Sequence, residues 1–150
     1  MQQAITIESL KSDLGSLALR IAAFESQQKK FTVSTLLGEI ELQEGEVYVG
    51  LIADGSKAHH IILLPGEFNG NWKDAMDWAE SIGGELPDRV EGALLFATMK
   101  DDFEPEWYWT REQHVSDSAC AWVQFFSYGY QGDNDTDNQN RARAVRRLPI

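Results

Sequence analysis

The spacing of hydrophobic positions changes along the chain, and the changes mark its elements. Between residues 4 and 27, Ile7, Leu10, Leu14, Leu17, Ile21 and Phe24 recur at alternating steps of three and four. That is the a/d stripe of a helix with a coiled-coil seam. With Ile7 at an a position, Arg20 falls at g and Glu25 at e, where the two can pair between parallel helices. Fewer than three full heptads do not hold a coiled coil unaided, and the competing partner for the stripe is the chain's own domain. A narrow stripe with a polar opposite face favours self-association, as a dimer or a trimer, through these six residues.

Beyond the polar residues 27–30, residues 31–46 read as a connecting segment that includes the alternating GEIELQEGE. Residues 47–53 (VYVGLIA) read as a strand, Asp54, Gly55, Ser56 and Lys57 as a turn, and residues 59–64 (HHIILL) as the returning strand, stopped by Pro65 and Gly66. Asp-Gly supplies the positive φ that such a hairpin needs. The period then becomes helical. Asn71 caps a helix over residues 72–82, with Trp72, Ala75, Met76, Ala79 and Ile82 on one stripe and Gly83 and Gly84 ending it. Asp88 caps a second helix over residues 89–100, whose apolar positions are Val90, Ala93, Leu94 and Ala97. Strands follow at residues 107–109, 119–126 and 142–148. Between the last two lies SYGYQGDNDTDNQN, residues 127–140, polar and turn-rich, which reads as a long loop. The expected organisation is an N-terminal oligomerising helix over residues 1–30 and a ligand-binding α+β domain over residues 31–150.

Charge narrows the partners. The net charge is −11, but residues 31–140 alone carry 21 acids and five bases. Such a body repels nucleic acid and anionic membrane, so neither is an expected partner. The first residues lack a basic region followed by an apolar stretch, so no secretory signal peptide is expected and the chain is expected to be made in the cytoplasm. A single cysteine, Cys120, cannot form an intramolecular disulfide, and its apolar setting in ACAWVQFF reads as a buried thiol.

Several chemistries fail on inspection. His59 and His60 are adjacent on a strand, where neighbouring side chains point to opposite faces, so one metal would not use both. Asp133, Asp135 and Asp137 imitate the start of a calcium loop. The sixth place is Asn138 instead of Gly and the twelfth is Ala144 instead of Glu, which excludes an EF-hand and leaves open only a looser calcium site. Ser116, His114 and Asp117 could be drawn as a triad, but their closeness on one turn provides no oxyanion hole. No enzyme activity and no cofactor are expected.

Three ordered segments carry a resemblance. GGELPDRVE (residues 83–91) resembles the "G-x-x-L-P-T-x-x-E" opening of a phage and prophage family of domains of unknown function. YWTRE (residues 108–112) resembles its "YWSS-x-E" strand. AWVQFF (residues 121–126), the Gly/Asn/Asp segment and RARAVR (residues 141–146) resemble its "AW-x-x-x-F … N-rich … R-x-R-x-V-R" ending. Asp88 stands in place of Thr and Glu112 comes one position early. The likeness spans residues ~47 to 148. It implies a fold similar to C-type lectins and formylglycine-generating enzymes, with two helices packed on small antiparallel sheets. The cysteine pair of those enzymes is absent, so a formylglycine-type chain would be degenerate. The Glu-Pro-Asn, Gln-Pro-Asp and Trp-Asn-Asp signatures of calcium-dependent sugar binding are absent too.

Some members of that family are variable proteins of diversity-generating retroelements, in which template Asn codons mutate mainly to Asp, Ser, Tyr, Gly and Phe. Phe126, Ser127, Tyr128, Tyr130, Gly132, Asp133, Asn134, Asp135, Thr136, Asp137 and Asn138 fit that set, as do Asp117 and Ser118. Tyrosines with short polar neighbours also have the composition of an antibody paratope. The expected ligand-binding residues are therefore Asp117, Ser118, Phe126, Ser127, Tyr128, Tyr130, Asp133, Asn134, Asp135, Asp137 and Asn138, facing a protein or cell-surface ligand. The expected role is that of a recognition protein, with virion association as a further expectation. The alternatives are an acidic phage-encoded inhibitor or adaptor of a basic nucleic-acid-handling host protein, and a degenerate enzyme of the formylglycine-generating type.

Overall fold

A computed structural model describes residues 5–27 and 31–150. It is of mixed α+β class, with three α-helices and three small sheets among the described residues. The chain forms two compact units that divide between Glu44 and Gly45. Among the described residues, no helix is long and apolar enough to cross a membrane.

The first unit holds helix α1 (Ile7–Gln27) and a hairpin of β1 (Phe31–Thr35) and β2 (Gly38–Leu42). The helix was expected to open at residue 4; Ala4 lies outside the described residues, and the helix opens at Ile7. Thr6 is the reason. Its hydroxyl accepts from the Ser9 N–H and its own N–H donates to the Ser9 hydroxyl, both at 3.1 Å, a reciprocal cap. Every residue from Ile7 to Ser26 is exposed. The expected boundary at residue 30 also falls outside the described residues. The stretch beyond it is not a mere connector. Its alternation is that of paired strands, which put Val33 opposite Ile40 and Phe31 opposite Leu42, with Ile40 and Leu42 buried.

The second unit begins with β3 (Val47–Asp54) and β4 (Lys57–Leu63), joined as expected by a tight turn. Gly55 takes φ 57° at the turn's first central position, and Asp54 remains in the strand. After β5 (Phe68–Gly70) come α2 (Trp72–Ser81) and α3 (Arg89–Met99). Both caps are in place: Asn71 accepts from the Asp74 N–H at 2.9 Å, and Asp88 and Glu91 form a reciprocal capping box. The α2 stripe is as expected except for Ile82, which is 41% exposed beyond the last turn.

The α3 stripe is a correction. Val90 is 62% exposed and Ala93 and Ala97 are also exposed, while Glu91, Gly92 and Leu95 face the interior. The helix is turned by a charge. Glu91 is fully buried and ion-paired with Arg147, and a reading that keeps carboxylates outside selects the wrong face.

The C-terminal half builds a sheet around β6 (Trp107–Gln113), β7 (Cys120–Phe125), β8 (Gln131–Asp135) and β9 (Asn140–Ala142), in the order β5-β9-β6-β7-β8. Residues 142–148 do not form the single strand expected. The chain leaves this sheet after Ala142, passes Ala144, whose carbonyl accepts from the Leu64 N–H at 2.9 Å, and enters the other sheet as β10 (Val145–Pro149), giving the order β10-β4-β3. Arg141 and Arg143 therefore do not share a strand face. Arg141 pairs with Glu67, whereas Arg143 donates to the carbonyls of Asp102 and Leu64 at 3.0 and 3.1 Å.

Alternation along β6 separates two cores. Trp109 joins Ala121 and Val123 against Ala75 and Ala79 of α2. Its neighbour Tyr108 joins Phe126, Leu95 of α3, Ile61, Leu63 and Val145. Strands β6 and β7 thus have a helix on each face, and β7 carries the candidate site toward the edge strand β8.

Candidate functional site

The segment expected to be a long loop contains a strand, Gln131–Asp135, between two turns. β8 pairs with β7 in antiparallel register, Cys120 opposite Asp135, Trp122 opposite Asp133 and Gln124 opposite Gln131. A tight connection joins them. The Phe125 N–H donates to the Tyr130 carbonyl at 2.7 Å, the Gly129 N–H donates to the Phe125 carbonyl at 2.8 Å, and Gly129 takes φ 82°. The polar residues of β8 mislead because they belong to a sheet edge. Asp133 and Asp135 on an outermost strand oppose pairing with a further strand, the usual protection of such edges.

This geometry divides the expected binding residues. Tyr128 and Tyr130 sit at the β7–β8 turn. Asp117, Ser118, Asp135, Asp137 and Asn138 gather at the opposite end, where β7 begins and β8 stops. Five residues of strand separate Tyr130 from Asp135, about 17 Å. Asp133 and Asn134 lie between, on alternate faces of β8. Phe126 leaves the exposed set altogether. It is 2% exposed, stacked on Phe103 at 3.9 Å and edge-on to Tyr108, so it is core rather than contact surface. Ser127 is half-buried in the turn.

At the tyrosine end, aromatic rings form a continuous step. Trp107 stacks on Phe125 at 4.5 Å, Phe125 meets Tyr128 at 6.1 Å, and Tyr128 meets Tyr130 at 6.0 Å. The two inner rings are half-buried and fix the arrangement; Tyr128 and Tyr130 are 73% and 62% exposed. The adjoining segment supplies Asp101, Asp102, Glu104 and Glu106, all exposed, and the Glu106 carbonyl accepts from the Phe126 N–H at 3.0 Å.

At the other end, the polar side chains mostly hold their own turns. Asp117 accepts from the Ala119 N–H at 3.0 Å, Asp135 accepts from the Asp137 N–H at 2.9 Å, and Asn138 donates to the Asn134 side chain at 2.7 Å. Among the described residues, no three His, Cys, Asp or Glu side chains are gathered as a metal site. Cys120 is half-buried instead of sealed in the core, because it lies on the outward face of β7 beside Asp117, its Sγ 3.6 Å from Oδ2. Burial pushes its thiol pKa up, and Asp117, Asp133 and Asp135 push it further, so it is held as the weakly nucleophilic thiol. Ser116, His114 and Asp117 form no triad: the His114 Nδ1 accepts from the Ser116 backbone N–H at 3.2 Å and its ring stacks on Trp122.

Sequence reading overlooked the centre of β7. The Arg89 guanidinium lies 3.6 Å from the Trp122 ring centroid, and His114 stacks on the same ring at 5.3 Å. Arg89 also donates to Gln131 at 3.0 Å, and Gln131 donates back to the Arg89 carbonyl at 2.6 Å and to Gln124 at 2.9 Å. These contacts fasten the start of α3 to β7 and β8. The alternation of Trp122 and Gln124 in AWVQFF was the signal for them. Two surface grooves, of about 430 and 510 Å³, lie around Glu85 and Arg111 and share no residue with the expected set.

No known protein family matches the chain, and no curated protein matches it either.

Proposed function

We propose that Gly45–Ile150 is a non-catalytic recognition domain of C-type-lectin-like architecture, borne by a phage- or prophage-encoded protein, and that it binds a protein or cell-surface ligand. The observation that carries this reading is the aromatic step at the β7–β8 turn. Tyr128 and Tyr130 stand exposed on rings of Phe125 and Trp107 that are already packed. Rigid aromatic side chains with few rotors bind at low entropic cost, which suits a contact surface. The lectin-like part of the reading is supported by the two helices packed on small sheets and by the ordered LP, YW and AW segments. In this reading the tyrosine end leads the contact, and the Asx-rich end is a turn scaffold whose exposed positions tolerate variation.

The test is retention of the purified chain on bacterial cell-envelope preparations, compared with a Tyr128→Ala, Tyr130→Ala double variant. Loss of retention in a variant that unfolds at the wild-type temperature supports the reading. Equal retention removes the tyrosine end as the contact surface.

A second reading rests on the acidic stretch from Asp101 to Glu106 beside the same tyrosines: an inhibitor or adaptor for a basic host protein. Association that slows steeply with added salt favours it over envelope recognition.

A further inference from the structure

We propose that α1 pairs in parallel with α1 of a second copy of this chain, as a two-stranded coiled coil. This inference is independent of the ligand reading. Ile7, Leu10, Leu14, Leu17, Ile21 and Phe24 are each between 49% and 68% exposed, on a helix with no buried residue from Ile7 to Ser26. A single 21-residue helix with Gly15 at its middle does not hold itself in water; its ordering requires a surface to cover the stripe.

The stripe specifies its own copy as that surface. Its three-and-four spacing matches the holes that an identical helix presents. The a positions are Ile7, Leu14 and Ile21 and the d positions Leu10, Leu17 and Phe24, so both isoleucines fall at a and none at d. β-Branched residues at a with leucine at d are the preference of parallel two-stranded coils, in which like positions meet like. An antiparallel pair would keep leucine on leucine only in the central layer, Leu14 against Leu17, and would set Ile7 against the second copy's Phe24 and Leu10 against its Ile21.

Charge is complementary along the same seam. In the parallel register Arg20 at g reaches the second copy's Glu25 at e, and the exchange occurs twice by symmetry. Antiparallel helices would instead place Asp13 near Arg20. Ion pairing therefore supports association in either direction, and the confinement of both isoleucines to a, where a parallel pair stacks each on its own copy, favours the parallel one.

Two measurements test the proposal on the full chain. Sedimentation equilibrium at micromolar concentration should give twice the chain mass for the wild type. The mass should halve in a Leu14→Asp, Leu17→Asp variant whose near-ultraviolet dichroism, reporting the tryptophans of the second unit, is unchanged. For orientation, Leu10→Cys is made in a Cys120→Ser background and oxidised. Parallel helices bring the two substituted positions together and yield a disulfide-linked dimer. Antiparallel helices hold them about 16 Å apart along the axis and yield none. A wild-type monomer, a trimer mass, or a dimer that the Leu10→Cys variant does not cross-link overturns the proposal.

Discussion

Arg147 holds Glu91 in a two-pronged grip, Nε to Oε1 at 2.7 Å and Nη2 to Oε2 at 2.8 Å, with the carboxylate fully buried. The same carboxylate accepts the Asp88 N–H at 3.2 Å and lies 3.4 Å from the His59 imidazole. One side chain thus ties the start of α3 to β10 and faces β4. Glu91→Leu should destabilise the second unit by about 3 kcal/mol, because it removes the two-pronged partner of the partly buried Arg147 guanidinium, which keeps Glu85 and the Leu86 carbonyl. Adding Arg147→Met should recover a large part of that loss. Urea midpoints of the two single variants and the double variant read the coupling directly.

The Asp88 cap makes a smaller prediction. Asp88→Ala removes the acceptor for the Glu91 N–H at 2.8 Å and should cost about 1 kcal/mol, whereas Asp88→Thr should cost less. Thermal unfolding of the two variants distinguishes a cap from a mere surface charge.

Phe126 and Tyr128, two residues apart, should behave oppositely. Phe126→Ala leaves a cavity beside Phe103, Tyr108 and Leu95 and should cost about 3–5 kcal/mol. Tyr128→Ala, at an exposed site, should stay within about 0.5 kcal/mol. Chemical denaturation of both variants checks the division between core and contact surface.

Gly129 should tolerate no side chain. Its φ is 82°, and a Cβ there would lie 2.5 Å from a Phe96 ring carbon. Gly129→Ala should lower stability by about 1–3 kcal/mol. It should also alter the near-ultraviolet dichroism of the adjoining rings.

Alkaline pH should expose Tyr108. Burial pushes its phenol up to about 12, and the neighbouring Glu67 carboxylate, which accepts its O–H at 3.1 Å, adds to the shift. The folded state therefore retains a proton that the unfolded chain gives up near pH 10. That contribution is complete below pH 10 and is lost as pH rises through about 12. Stability measured from pH 9 to 12 should fall less steeply in Tyr108→Phe than in the wild type.

Local chemistry made much of the fold legible. Asn71 and Asp88 announced the starts of α2 and α3, Gly55 announced the first hairpin of the second unit, and the a/d stripe announced α1. What escaped depends on partners distant in sequence. The face of α3 is chosen by Arg147, more than fifty positions away. The polar β8 reads as loop because an edge strand favours the same Asp and Asn residues that turns do. The tyrosine pair stood out by composition, yet its separation from the Asx-rich end required the register of β7 on β8. Phe126 resembled its exposed neighbours, and the rings of Phe103 and Tyr108 that cover it come from another part of the chain.

The completion of the β10-β4-β3 sheet by its last strand has a consequence for how the second unit forms. β4 gains its hairpin partner β3 at once, but its other edge pairs with β10, near the opposite end of the unit, Leu63 against Val145. Contacts between such remote segments make folding slow, because loop closure must precede the gain from pairing. Until β10 arrives, the Ile61–Leu63 stretch offers an apolar strand with an open edge, the form most prone to pair with another chain. The hazard of this domain therefore lies in the interval before its last strand docks, and substitutions that weaken the Arg146–Glu46 or Arg147–Glu91 pairs should lower soluble yield by lengthening that interval.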